Sequence, residues 1–105
     1  MTENQSGRHE ILVGMCVSDE AAYQRYRDEM VPILEAMGGY FRYDMRMSEL
    51  LKGEAEDPFN RVFILSFPDE QTKERFFGDS TYKRIKEQYF VGAVKSYREL
   101  ASFTN

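Results

Sequence analysis

Apolar and polar positions change period along the chain, and each change marks an element. Residues 9–17 (HEILVGMCV) carry apolar side chains on both parities, with Ile11, Val13 and Met15 on one and Leu12 and Cys16 on the other. Such a run predicts a strand buried on both faces. The apolar positions then step by three and four through Ala22, Tyr23, Tyr26, Met30, Ile33, Leu34 and Met37, which predicts an amphipathic helix. Ser18 is its expected N-cap, with Asp19 and Glu20 placed to meet the positive helix end. Pro32 is expected to kink it near residues 28–31, and Gly38-Gly39 to end it. Strict alternation follows over residues 40–47, with Phe41, Tyr43, Met45 and Met47 on one face and Tyr40, Arg42, Asp44 and Arg46 on the other. That is a strand with one polar face. Residues 52–60 (KGEAEDPFN) read as a loop. Residues 61–67 (RVFILSF) form a third strand, again apolar on both parities. Pro68 stops it, and Asp69 caps a helix that ends at Gly78. Ser80 is expected to cap a further turn or two with Tyr82, Ile85 and Tyr89 on one face, closed by Gly92. Residues 93–103 read as a last strand.

The order β-α-β-β-α-β predicts an α+β, ferredoxin-like fold, a four-stranded antiparallel sheet with helices on one face. Residues 1–8 read as a disordered N-terminal tail and 9–105 as a single domain. Two helices cover only one side of the sheet, yet the first and third strands are apolar on both. A monomer would expose more than the few hundred Å² that soluble monomers usually show. The simplest cover is a second copy, sheet against sheet, in a two-fold homodimer. The alternative is that the C-terminal segment folds across the face.

Composition narrows the function. The chain is 42% apolar and 14% aromatic, enough for a core and against disorder. Its 14 bases and 18 acids give a net charge of −4, which disfavours nucleic acid, since phosphate binding needs a basic footprint. The charge is uneven: residues 1–57 hold 12 acids and 6 bases, and residues 58–105 hold 6 acids and 8 bases. Lys73, Arg75, Lys83, Arg84 and Lys86 fall in the second helical region and read as a solvated outer face. No apolar run reaches the ~18 residues of a membrane span. The N-terminus lacks the apolar stretch of a signal peptide, so a cytoplasmic location is expected. One cysteine and one histidine make neither an intrachain disulfide nor a structural zinc site, which needs about four ligands. No metal or cofactor is expected. A haem or flavin enzyme would lack a Gly-rich phosphate loop and have only His9 as an evident axial ligand.

Three groups carry the candidate chemistry. Arg42, Asp44 and Arg46 share a strand face by spacing. Two guanidiniums beside a carboxylate suit an anionic or phenolic ligand, and they suit equally a charge ladder at the sheet surface or dimer rim. Tyr40, Tyr43, Tyr82, Tyr89 and Tyr97 offer rings with a polar tip for a small aromatic ligand, or packing at core and interface. His9 is the one side chain that titrates near neutrality without perturbation, and it reads as a strand-entry residue or a base. Cys16, in an apolar strand, reads as a buried, inert thiol.

The ordered series of Tyr23 and Tyr26 in the first helix, Gly38-Gly39 before an aromatic-led strand, Phe67-Pro68 before an acidic helix start, and Ser80-Thr81-Tyr82 resembles the stand-alone proteins of the dimeric α/β-barrel superfamily. Within it the chain is most similar to domain-of-unknown-function family 1330, over roughly residues 10–103. The resemblance implies the ferredoxin-like fold and sheet-to-sheet pairing, and it implies no reaction. The chain departs from the family pattern at Asp44, where a basic residue is common, at Tyr89, where an arginine is common, and at Met45 and Arg46, where a glycine pair often stands. If those positions line a pocket, its charge is altered here.

The sequence therefore predicts a homodimer that binds, or acts without cofactor on, a small organic molecule between sheet and helices. Tyr43, Tyr82, Arg42 and Asp44 are the expected ligand contacts, with His9 and Tyr43 the catalytic candidates. The alternative is a non-catalytic dimeric module that senses a ligand or binds another protein.

Overall fold

The computed structural model describes residues 7–54 and 57–104. The tail expected over residues 1–8 lies mostly outside the described residues. Arg8 is nevertheless held: its guanidinium donates to Ser66 Oγ at 2.7 Å and to the Gly38 carbonyl at 2.9 Å.

The elements run β1 (His9–Val17), α1 (Glu20–Ala36), β2 (Tyr40–Arg46), β3 (Arg61–Phe67), α2 (Glu70–Gly78), α3 (Ser80–Ile85), one π-helical turn (Lys86–Phe90) and β4 (Val94–Thr104). The four strands form one sheet in the order β2-β3-β1-β4, with every pair antiparallel. This is the expected ferredoxin-like α+β arrangement. The C-terminal segment does not cross the open face, because it pairs with β1 as an edge strand.

Register decides which side chains meet the helices. Ile11 pairs with Leu65 and Val13 with Phe63, so the odd positions of β1 and β3 face the helices, and directly opposed residues share a face. There they pack with Tyr23, Tyr26, Met30 and Leu34 of α1 and with Phe76, Tyr82 and Ile85. The Phe76 ring is fully buried and lies 4.5 Å from Tyr82, 5.1 Å from Phe77 and 5.9 Å from Phe67, centroid to centroid.

The expected alternation of β2 fails at one point. Phe41 pairs with Leu65 but Tyr43 pairs with Ile64, so Arg42 is the extra residue of a β-bulge, and the bulge flips the parity beyond it. Phe41, Asp44 and Arg46 therefore lie on the helix side, while Tyr40, Tyr43 and Met45 lie on the open side. A second bulge at Leu100 shifts β4, so that Glu99 opposes Val13 and Phe103 opposes Glu10.

Helix ends follow local chemistry, with two corrections. Asp19, not Ser18, caps α1 by accepting from the Ala22 N–H, and Ser18 instead donates to the Ala93 carbonyl. Asp79, not Ser80, caps α3 by accepting from the Tyr82 N–H. In each case the neighbouring carboxylate takes the amide, since a charged acceptor makes the stronger bond and suits the helix dipole. α1 continues through Pro32 and ends in a Schellman turn: Gly39 donates to the Leu34 carbonyl and Gly38 to that of Glu35, with Gly38 at φ +83°. That left-handed backbone is one glycine adopts freely.

Asp69 caps α2 as expected, accepting from both the Thr72 N–H and the Thr72 hydroxyl. The hydroxyl and then the amide hold its carboxyl below the usual carboxylate range. The folded pKa lies below the unfolded one of 3.8, so this stabilisation is complete above the unfolded value and is lost as pH falls through the folded one. Asp69→Ala should remove that part of the acid sensitivity, leaving a shallower decline of Tm below about pH 4 than in the parent. Equal slopes in thermal melts of the two proteins would contradict this.

The open face carries Tyr40, Tyr43, Met45, Val62, Ile64, Leu12, Leu100 and Phe103 by register. Tyr43 is 59% exposed and Phe103 41%. Among the described residues only the segment after β2 approaches it: the Phe59 ring sits against Gly14 so closely that a Cβ there would come within 2.6 Å of it.

Candidate functional site

A cavity of about 280 Å³ lies between the helix side of the sheet and the helices. Its sheet wall is Ile11, Val13, Met15, Phe41, Phe63 and Leu65, and its helix wall includes Tyr23, Tyr26, Met30, Phe77, Tyr82 and Phe90. The spacing of α1 accounts for its part, since Tyr23, Tyr26 and Met30 follow steps of three and four. Lys73, Lys86, Tyr97 and Glu99 complete the lining. They are half-buried or exposed, which marks them as the mouth. The volume is near the lower end of the range for small-molecule sites, and the mainly apolar walls with a few polar groups match their chemistry.

The buried polar feature is a pair of phenols. Tyr26 Oη and Tyr82 Oη stand 2.8 Å apart. One hydroxyl donates to the other, so one proton of the pair is left to donate elsewhere. Burial pushes both phenols up, Tyr82 to about 12 and Tyr26 further. Both are therefore neutral at physiological pH, and each phenolate is costly. A pair in this state is a hydrogen-bond donor and a poor proton shuttle, since acid–base catalysis works best near the operating pH. Tyr26→Phe should destabilise the fold by about 1–3 kcal/mol by leaving the Tyr82 hydroxyl buried without its partner. The double change Tyr26→Phe/Tyr82→Phe should cost less than the sum of the single changes. Urea melts of the four proteins test this, and additive costs would show that the pair is not coupled.

Of the expected site residues, Tyr82 lines the cavity. The others are not brought to it. Tyr43 is on the open side of the sheet. The row Arg42, Asp44, Arg46 is divided by the bulge. Arg42 joins Glu10 on the open side, Nε to Oε2 2.5 Å, and donates to Tyr40 Oη at 3.0 Å. Asp44 turns to the helices and accepts from Arg27 Nη2 at 2.6 Å. Arg46 Nη2 stands 3.6 Å from Glu20, which also faces Arg61 at 3.7 Å. His9 is buried at the end of β1, its Nδ1 3.0 Å from Thr104 Oγ1, and is not in the lining. Among the described residues its Nε2 has no partner. Cys16 is half-buried on the open side rather than sealed in the core.

Two further tyrosines separate. Tyr97 stands at the mouth. Tyr89 lies outside the cavity and donates to Glu29. Phe90 takes the inward position expected of Tyr89, because the π turn closes with Val91 N–H on the Lys86 carbonyl and so lengthens the step by one residue. Lys73 and Lys86, expected on a solvated face, are instead half-buried at the cavity. Tyr26 was readable from its place on a buried helical stripe, where a phenol needs a partner for its hydroxyl.

Arg27 braces the neighbouring Tyr23. It donates to Tyr23 Oη at 3.1 Å and lies 3.7 Å above the centroid of Phe41. Burial raises the Tyr23 pKa, with Arg27 pulling the other way. Among the described residues no group of three or more His, Cys, Asp or Glu side chains is placed to hold a metal ion, and no helix is long and apolar enough to cross a membrane.

Residues 11–96 match the family described as Domain of unknown function (DUF1330). The chain belongs to the DUF1330 family. Nothing among functionally curated proteins matches it. It is similar in structure to a protein of unknown function from Rhodopseudomonas palustris, at TM-score 0.80 and 18% identity, over 95% of this chain and 83% of that one. The methylated form of that protein gives 0.79 and 18%, over 95% and 82%. A dabb family protein with a ferredoxin-like fold from Mesorhizobium loti gives 0.64 and 16%, over 95% and 98%. At these identities the likeness speaks for the fold, and the ferredoxin-like arrangement of this DUF1330 chain agrees with it. The four positions at which this chain departs from the expected family pattern, Asp44, Met45, Arg46 and Tyr89, all lie outside the cavity lining. The charge of the cavity is set instead by Lys73, Lys86 and Glu99.

Proposed function

We propose that this protein is a homodimeric binding protein whose subunits each hold one small, mainly apolar organic molecule between sheet and helices. The observation that carries the reading is the aromatic-walled cavity with a neutral phenol pair, Tyr26 and Tyr82, inside it. Apolar walls supply affinity by burial, and the unused phenol proton supplies one directed contact. The raised pKa of both phenols favours binding over proton-transfer chemistry. The exposed apolar residues of the open sheet face support pairing with a second copy, as such a surface is rare on a lone soluble subunit.

A pocket-filling variant tests the binding. Met30 is buried in the lining, and Met30→Trp should occupy part of the space at a stability cost of about 1–3 kcal/mol. Saturation-transfer NMR with indole and with benzamide should give signals for the parent protein that fall at least severalfold in the variant, while circular dichroism shows the variant folded. Equal signals from the two proteins would place binding elsewhere and sink the reading.

A further inference from the structure

The mouth of the cavity is electrostatically unfinished. Of the bases in the second helical region, Arg75, Lys83 and Arg84 are exposed, whereas Lys73 and Lys86 are half-buried and line the cavity. An ammonium that gives up part of its hydration needs compensation from a partner. Lys86 has some: its Nζ is 3.4 Å from Tyr97 Oη and faces the rings of Phe90 and Tyr97 at 5.4 and 5.3 Å. Lys73 has none, since among the described residues its side chain makes no hydrogen bond and no ion pair. Among the described residues Glu99 is the only acid in the lining, and it pairs with neither lysine. The lining thus carries two cations against one anion in a chain whose net charge is −4. The π turn contributes to this arrangement by presenting both Lys86 and Phe90 to the cavity, a use to which such turns are often put at functional sites.

We infer that the cavity's ligand is an amphipathic organic anion, its apolar body against the aromatic and aliphatic walls and its anionic group at the mouth beside Lys73 and Lys86. The inference rests on the binding reading above and names the ligand class for that site. The charge of the ligand supplies the missing partner of Lys73. The walls exclude a purely polar anion, for which they offer little besides the phenol pair. A neutral apolar molecule would fill the walls and leave Lys73 without a charge partner.

The test uses three carboxylates and their amides, matched in shape and differing in charge: benzoate and benzamide, cinnamate and cinnamamide, hexanoate and hexanamide. Each is titrated into the full chain by calorimetry near pH 7.5 at low salt. The carboxylate of each pair should bind about tenfold or more tightly than its amide, as a charge-assisted contact requires. That preference should shrink at high salt. It should fall below about threefold in Lys73→Gln/Lys86→Gln, with a far-UV circular dichroism spectrum that matches the parent's. Amides that bind as tightly as the carboxylates in the parent protein would overturn the anion assignment and leave the binding reading standing. A preference that persists in the double variant would overturn the role of the two lysines. If none of the six compounds binds, the binding reading fails, and the inference with it.

Discussion

Replacing Tyr43 and Phe103 together with aspartate should convert the proposed sheet-to-sheet dimer to folded monomers. Both side chains lie on the open face and are exposed in a single chain. Their replacement therefore costs the isolated subunit little, as surface substitutions usually stay within about 0.5 kcal/mol. In a two-fold sheet-to-sheet pairing the same changes place four carboxylates in the interface. Charges stripped of water without partners cost several kcal/mol each when buried deeply. The dissociation constant should rise by at least about a hundredfold, roughly 3 kcal/mol, allowing for positions on the edge strands. Sedimentation equilibrium from about 1 to 100 μM measures this, with circular dichroism as the control for folding. A parent protein that sediments as a single chain throughout that range would remove the dimer from the functional reading. The Glu10–Arg42 pair gives a second handle on the same surface. Glu10 is only 3% exposed, so Arg42→Leu would strand a buried carboxylate within the subunit itself and is the wrong variant with which to test pairing.

Phe76→Ala should lower the unfolding free energy by about 3–5 kcal/mol, the range for truncating a buried phenylalanine. Phe76 is fully buried and packs against Phe67, Phe77 and Tyr82 in one aromatic cluster. Two neighbours, Phe77 and Tyr82, also line the cavity, so the loss extends beyond stability. The void left by the ring lets both turn away from their present positions and loosens the Tyr26–Tyr82 hydrogen bond. Domains of this size have about 5–15 kcal/mol in total, and the variant should melt some 15–30 °C below the parent. Chemical denaturation followed by tyrosine fluorescence gives the free energy directly. A loss under about 1 kcal/mol would mean that the cluster repacks into the gap, and that the helix wall of the cavity is less fixed than its ring contacts indicate.

Most of the frame was legible in the chain because short-range pattern specifies it. Short runs apolar on both parities marked β1 and β3, alternation marked β2, and steps of three and four marked α1. Gly38 marked the helix end because few other residues take its backbone conformation easily. The differences share a cause. Residue type points to Ser18 and Ser80 as caps, but an aspartate stands next to each, and the choice between adjacent oxygens depends on where the backbone aims them. An α-helical step points Tyr89 inward, but the turn there is π-helical. Alternation through residue 42 puts Arg42, Asp44 and Arg46 on one face, but the bulge divides them. A single extra residue in β2 reverses every side chain after it, and nothing in the alternation of residues 40–47 announces it.

The candidate site was less legible for the same reason. Tyr82 could be proposed from one helical stripe, but its partner Tyr26 comes from another helix 56 residues away. Lys73 and Lys86 look alike in sequence to Arg75, Lys83 and Arg84. By itself the sequence determined the element order, the α+β class and the buried stripe of α1, because those depend on periodicity and local capping energies. The tertiary structure alone decided which charges meet, which tyrosines pair and which lysines are drawn toward the cavity. Those outcomes depend on strand register, on the bulges of β2 and β4 and on one π turn, where a shift of one residue redirects a side chain at almost no local energetic cost and so leaves little trace in the amino-acid pattern.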